Sequence, residues 1–467
     1  MRGWKMVPVL LILLFTASTS FAAGFRLPEA GVKAMGMGFA FTAQADDPSA
    51  IYFNPAGLTQ LKGQNIMVGV TYVRENGGEF TGTTPLTGGA TASETQKSLN
   101  FYIPNLYYTR TTSDGYIAYG VGVFAPFGLG QEYENENTSI FRNQVTKIDL
   151  QTIVVNPTIA FKINEMLSVG VGVDFMYGKA KLNGTPVQPS LGDNTAGGNN
   201  NLYNMEMEAD ATAWGYNFGV LLKPTSNVRM GFNYRSPFTL EFNDGDIDIS
   251  DISQANRAAF AGPGAFGTNS LSTNAFGGRT SYSGKGKTKV ALPATATVGV
   301  AYTAGRFTVE ADADWTFWSS YKSLTIERPR VLATVYTGVP TPPTTQVPVL
   351  GTTTSNKNWS DVCALRLGAE YRVTDPLALR AGFVYDPTPV PVETMGPELP
   401  DADRLNYMLG VGYKIGAWTI DAAGMYIDKK DRTVSNIRFE GANPVGQNGT
   451  WSGGSAWLAS LDIGYRF

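Results

Sequence analysis

Residues 166–180 read MLSVGVGVDFMYGKA, and the alternation in them decides the fold. Leu167, Val169, Val171, Val173, Phe175 and Tyr177 fall on one face of an extended chain. Ser168, Gly170, Gly172, Asp174 and Gly178 fall on the other, because successive side chains of a strand point to opposite faces. RLNYMLGVGYKI repeats the pattern, with Tyr407, Leu409, Val411, Tyr413 and Ile415 against Asn406, Gly410, Gly412 and Lys414. So does the C-terminal stretch, with Trp457, Leu461, Ile463, Tyr465 and Phe467 against Ser460, Asp462, Gly464 and Arg466. A soluble sandwich also alternates. Here the apolar faces carry aromatics at their ends and small aliphatics between, as a lipid-facing band between aromatic girdles does, and the opposite faces carry glycine and charge, as a lumen does.

Working outward, about fourteen such segments start near Ile66, Leu99, Gly115, Lys147, Leu167, Glu208, Val228, Thr288, Arg306, Trp359, Leu377, Leu405, Trp418 and Ser455. Their connections alternate in length. Thr112–Asp114, Asn164-Glu165, Pro224–Ser226, Ala304-Gly305, Thr374–Pro376 and Gly416-Ala417 are short turns, whereas Asn243–Lys287, Ser320–Asn358 and Lys429–Gly454 are long links. An even strand number with one short-turned and one long-looped end predicts an all-β, transmembrane antiparallel barrel of a bacterial outer membrane, its short turns periplasmic. Residues 63–467 are assigned to that barrel.

Composition agrees. The 467 residues include 53 glycines, 12% aromatic and only 16% charged residues, a balance unlike that of disordered chains. Histidine is absent, which removes every histidine-based catalytic device and metal site and predicts a protein that is not an enzyme and carries no metal or cofactor. The single cysteine, Cys363, allows no intramolecular disulfide and has no activating neighbour. Arg2 and Lys5, the apolar run Val7–Phe15 and Ser20-Phe21-Ala22 have the order of an export signal, residues 1–22. The run is too short for the ~20 residues of a spanning helix. Removing the signal shifts the net charge from −3 to −5, and no basic stripe points to nucleic acid.

A fourteen-strand lumen stays open unless something fills it. Residues 23–62 precede the first strand and are too irregular for a wall, and Gly31, Ala34, Gly36, Gly38 and Ala40 permit close backbone packing. They are predicted to form a plug inside the barrel. Two carboxylate-rich and arginine-rich rows, Glu310, Asp312 and Asp314 beside Arg366, Glu370 and Arg372, are read as an ionic ladder stiffening the wall rather than as a general acid and base. An arginine there could also meet an acidic ligand. VGVFAPFGLG opens as a strand and is cut at Pro126; either the strand ends there, or the wall opens.

Ala23-Gly24-Phe25, Glu29, the glycine and alanine run, Ala45-Asp46-Asp47 and Asn54-Pro55-Ala56-Gly57-Leu58 resemble the hatch of the FadL/TodX family of outer-membrane transporters for hydrophobic compounds. IPNLYYT (103–109), FAPFGLGQEY (124–133) and NPTIAFKINEMLSVGVGV (156–173) resemble its early strands. The resemblance implies passive uptake of long-chain fatty acids or aromatic and aliphatic hydrocarbons, with no cofactor. It places Phe25 and Leu27 near an inner ligand pocket, where packing of the plug is the competing reading. It makes Asp46, Asp47, Asn54, Pro55 and Ala56 part of the hatch, Asn54 as a turn-fixing cap or in gating. It also implies an inward kink of the third strand that opens the wall at Phe124, Pro126, Phe127, Gly128 and Leu129. The expected partners are a hydrophobic small molecule, outer-membrane lipids and lipopolysaccharide, and the barrel assembly machinery, which the terminal Phe467 resembles a signal for; the chain is expected to act as a monomer. A diffusion porin and a surface receptor are the alternatives. The links Ile252–Phe266 and Val335–Asn358 match no motif of the family, so substrate identity is not legible in them.

Overall fold

The computed structural model describes residues 24–134, 138–185, 203–250, 281–336, 344–440 and 443–467. The expected export signal and the link Ile252–Phe266 lie outside the described residues. Fourteen antiparallel strands close into a barrel. They are β1 (Gln64–Asn76), β2 (Leu99–Thr111), β3 (Ile117–Phe124, resuming as Gly128–Glu132), β4 (Lys147–Lys162), β5 (Leu167–Gly184) and β6 (Asn204–Leu222). Then follow β7 (Val228–Arg235, resuming as Phe238–Ser250), β8 (Tyr282–Leu292 and Thr295–Ala304) and β9 (Phe307–Thr316, extended by Ser323–Glu327). The ring continues through β10 (Val362–Arg372, preceded by Thr353–Asn356), β11 (Leu377–Asp386), β12 (Arg404–Ile415), β13 (Trp418–Lys429) and β14 (Ser455–Arg466). β14 pairs back onto β1 from Asn65↔Arg466 to Asn76↔Ser455, so the ring has no free edge there.

The period-two reading maps onto this wall. Leu409 and Phe467 are 71% and 70% exposed, while Asp462 and Asp174 on the opposite face are 1% and 0% exposed. A chain in hydrocarbon must satisfy its backbone groups internally, and a closed ladder does so while leaving the outer side chains free to be apolar. Aromatic pairs mark two levels. Trp418–Tyr465 and Tyr465–Phe467 lie at the short-turn end, with ring centroids 4.7 and 4.9 Å apart. Tyr426–Trp457 lies at the other level, at 4.5 Å. The span from Trp418 to Tyr426 is about 26 Å along the strand, or about 20 Å of height at a tilt of about 40°, which lies within the apolar band of about 25 Å on outer-membrane barrels. No described helix is long and apolar enough to cross a membrane.

Three strands begin away from their expected positions. β6 starts at Asn204 rather than Glu208, β8 at Tyr282 rather than Thr288, and β10 at Val362 rather than Trp359. The extra turns of ladder on β5 and β6 have charged outer faces, paired as Lys179–Glu208 and Lys181–Glu206. Outside the lipid band an outward apolar row is no longer required, so on β6 the alternation inverts, Met205 and Met207 inward against Glu206 and Glu208, while the ladder continues. At the long-looped end, Glu79–Thr83, Ala92–Thr95, Arg432–Ser435 and Asn448–Ser452 make a separate four-stranded sheet.

Residues 24–61 are folded against the buried face of the wall. Two one-turn helices, α1 (Val32–Gly36) and α2 (Ala50–Phe53), and a 3-10 turn (Pro55–Gln60) are joined by tight bends. Glycines on both sides allow backbone to meet backbone. A Cβ on Gly382 would stand 2.0 Å from the Gly38 nitrogen, and one on Gly368 would stand 2.2 Å from the Met37 oxygen. Gly38 also has φ +63°, which L side chains disfavour.

Candidate functional site

The one-turn helices and bends of the N-terminal segment satisfy part of its backbone internally, and the remaining amides need acceptors elsewhere. The inward carboxylates of the wall supply them. The amides of Phe41 and Thr42 donate to Asp312 at 3.1 Å each, and those of Ala43 and Gln44 donate to Glu310 at 2.6 and 2.8 Å. Val32 donates to Asp462 at 2.7 Å and Gly24 to Asp401 at 3.1 Å. This revises the ladder reading. Arg366 pairs with Asp314, and Arg380 bridges Glu370 and Asp421 at 2.8 and 2.6 Å. Glu310 and Asp312, however, face backbone amides rather than arginines. A strand pattern shows that a carboxylate is inward but not what fills the space before it.

The residues expected to belong to a hatch take defined places. Asn54 is fully buried; its Oδ1 accepts from the Ala56 amide at 3.1 Å, and its Nδ2 donates to the carbonyls of Thr42 and Val220 at 2.7 and 2.9 Å. It thus caps the turn that Pro55 opens and ties it to β6. Pro55 and Ala56 lie against Gly170 and Gly219, where a Cβ would collide with their atoms. Asp47 accepts from the amide and hydroxyl of Ser49 at 2.8 and 2.5 Å. Asp46 takes Lys33 at 2.8 Å, and Lys33 also reaches Glu370 at 3.6 Å. Phe39, with φ +58°, is held beneath Arg366, whose Nη1 donates to the Phe39 carbonyl at 3.3 Å. Glu29 is buried with neither carboxyl oxygen hydrogen-bonded, and burial lifts its pKa to about 7.

At the chain's start, Phe25 sits among rings. Its centroid is 4.6 Å from Trp318, 5.5 Å from Trp359, 5.8 Å from Tyr321 and 6.4 Å from Phe127. Beside it opens a cavity of about 120 Å³ walled by β4 to β9. Ile148, Leu150, Leu182, Met207, Phe242 and Ile247 line it, with Phe25 and Tyr321 at one end and Leu129 beside them. Leu27 is fully buried beside this group, and its carbonyl accepts from Tyr52 at 3.1 Å. The charged residues of the same strands, such as Lys181, Glu208 and Lys287, hold the alternate positions. Leu27, Trp318, Tyr321 and Trp359 come together only through the fold. Trp318 and Tyr321 stand in or beside a long link, and Trp359 marks only a strand start in the sequence, so the period-two pattern does not point to them as site residues.

The third strand is interrupted. Ile117–Phe124 pairs with β2 as far as Leu106↔Val123 and with β4. After Ala125-Pro126-Phe127, the run Gly128–Glu132 pairs with β4 alone. Its other partners are in the N-terminal segment: Leu27 donates to the Pro126 carbonyl at 2.8 Å, and Gly128 donates to that of Phe25 at 2.9 Å. The wall is joined again at Lys97, which donates to the Glu132 carbonyl at 2.8 Å. Between those joins, the β2 edge from Leu99 to Asn105 has no ladder partner on this side among the described residues. Phe124 is stacked near Tyr107 at 6.3 Å and meets Tyr52 at 5.1 Å, so the break is lined with aromatic rings.

A closed, lipid-banded barrel with an apolar cavity beside its N-terminal segment defines an outer-membrane transport protein. The chain matches the family described as Outer membrane protein transport protein (OMPP1/FadL/TodX) over residues 13–467 and belongs to it. It is 24% identical over 474 residues to the long-chain fatty acid transport protein of Escherichia coli O6:H1, covering 97% of this chain and 96% of that one. The fold is similar to that of a Pseudomonas aeruginosa FadL homologue (23% identity, TM-score 0.74, 95% and 100% of the two chains). It is also similar to that of the Pseudomonas putida toluene transporter TodX (17% identity, TM-score 0.62, 96% and 100%).

Proposed function

We propose that this protein is a passive outer-membrane uptake channel for hydrophobic small molecules, long-chain fatty acids or aromatic and aliphatic hydrocarbons, with residues 23–62 acting as its hatch. The apolar cavity ending on Phe25 carries the reading, since a solute there gives up water for carbon on every side. Each buried methylene favours it by about 0.8 kcal/mol. Because the inward positions of β4 to β7 around the cavity are apolar, the tail or ring of the solute is what it holds. A diffusion porin fits less well, because the N-terminal segment is bonded to wall strands around the lumen. The solute leaves through the interruption between β2 and β3, reaching the membrane without crossing water. The short turns face the periplasm and the long links the lipopolysaccharide.

The test is retention of a fluorescent apolar probe, N-phenyl-naphthylamine, by the detergent-solubilised protein. Leu150→Asp with Leu182→Asp should abolish it in a barrel that still shows heat-modifiable mobility. Retention unchanged in that variant would overturn the assignment of the cavity.

A further inference from the structure

The opposite end of the lumen contains a cavity of contrary chemistry. About 420 Å³ in volume, it lies between Gln60, on the last turn of the N-terminal segment, and Lys223, Arg229, Thr303 and Arg372, with Thr225, Ser226 and Glu165 at its rim. The three cations continue the inward rows of β6, β7 and β10: Lys223 follows Leu221, Arg229 precedes Gly231, and Arg372 follows Glu370. Lys223 and Arg229 are half-buried.

The nearby acids have other partners: Glu165 pairs with Lys162 at 2.6 Å, Asp46 with Lys33 at 2.8 Å, and Glu370 with Arg380 at 2.8 Å, Arg372 reaching Glu370 at 3.9 Å. Arg229 donates to the Thr303 hydroxyl at 3.2 Å. The Lys223 amine has no hydrogen bond or ion pair among the described residues. Burial, with Arg229 and Lys162 adding repulsion, holds it below the usual lysine range. Lys223 and Arg229, like charges kept together in a half-buried space with neither ion-paired to an acid among the described residues, repel one another. The two cations supply charged donors for an oxyanion, and the Thr225, Ser226 and Thr303 hydroxyls beside them offer no wall to a hydrocarbon.

We propose that this vestibule is an oxyanion site that takes a carboxylate or phosphate group at the base of the N-terminal segment. Gln60 places the bound group next to that segment, because its Nε2 donates to the carbonyls of Gln44 and Ala45 at 2.8 and 3.1 Å. The site is separate from the apolar cavity, so its failure would leave the uptake reading intact.

The test is calorimetric titration of the full chain with inorganic phosphate, in non-ionic detergent at low ionic strength. Saturable binding is expected. Lys223→Gln with Arg229→Gln should weaken it by at least about tenfold, or 1.4 kcal/mol. Arg372→Gln, at an exposed position, should weaken it in a barrel whose packing is untouched. Arg306→Gln, a turn arginine outside the cavity, should leave it unchanged. Displacement of phosphate by decanoate would assign the site to carboxylate head groups as well, and its absence to free phosphate; either supports an oxyanion site. No saturable binding, or binding indifferent to both the double variant and Arg372→Gln, overturns it.

Discussion

Replacing Gly382 by alanine tests whether the N-terminal segment is seated by backbone contact. The new Cβ would lie 2.0 Å from the Gly38 nitrogen, 2.5 Å from its Cα and 2.6 Å from the Met37 carbonyl carbon, none of which can rotate away. Ordinary contact begins at 3.4 Å, so the segment must retreat by about 1.4 Å. The amides of Phe41 and Thr42 are now 3.1 Å from Asp312, and such a shift carries them beyond hydrogen-bond range. Overpacking of this kind costs about 1–3 kcal/mol, which raises the unseated fraction about 5- to 150-fold. Amide exchange read by mass spectrometry should therefore speed up across Phe41–Gln44, while the β11 and β12 ladder stays protected. Gly424→Ala is the control, since a Cβ there meets only the Leu458 carbonyl oxygen, at 3.9 Å. If exchange at Phe41–Gln44 in folded Gly382→Ala matches that of the control, the close contact does not hold the segment.

Deleting Phe25 to Ala56 should leave a folded, heat-modifiable barrel, because the strand ladders close without it and only the Pro126 and Gly128 groups of the third strand lose backbone partners, and should raise ion conductance in planar bilayers. Unchanged conductance would mean the segment is not a plug. Replacing Pro126 and Gly128 by valine should restore pairing towards β2 and cut uptake of a hydrophobic solute in cells. Full uptake through a folded variant would exclude the side exit. Glu29 holds its proton to about pH 7 in the folded state against an ordinary 4.5, so the folded state binds more protons between those values. Stability is therefore fully present below about pH 4.5 and declines as pH rises towards 7, by about 1.4 kcal/mol per unit at most. After correction for intrinsic rates, exchange of the N-terminal segment should be faster at pH 8 than at pH 5. Glu29→Gln should flatten that difference, and an unaltered slope in the variant would remove Glu29 as its source.

The barrel was legible because its rule is local. A strand whose two faces meet lipid and lumen must alternate, so Leu409 against Gly410 or Leu461 against Asp462 announces both the strand and its orientation without any knowledge of neighbours. Loop length along the chain then gave the two ends, and the glycine-rich, turn-rich residues before Ile66 could not be wall. The register of contacts inside the barrel is a different kind of information. Glu310 and Asp312 were visibly inward, yet their partners are the amides of Phe41 to Gln44, 266 to 271 positions away. Nothing in the period of β9 selects an amide over an arginine. The same holds for Gly38 against Gly382, for Trp318 and Trp359 around Phe25, and for Lys223, Arg229 and Arg372 at one mouth of the lumen. Alternation fixes which side of the wall a residue occupies. Which groups then meet across the lumen depends on ring closure and on the path of a segment without a period, and only the tertiary structure decides it.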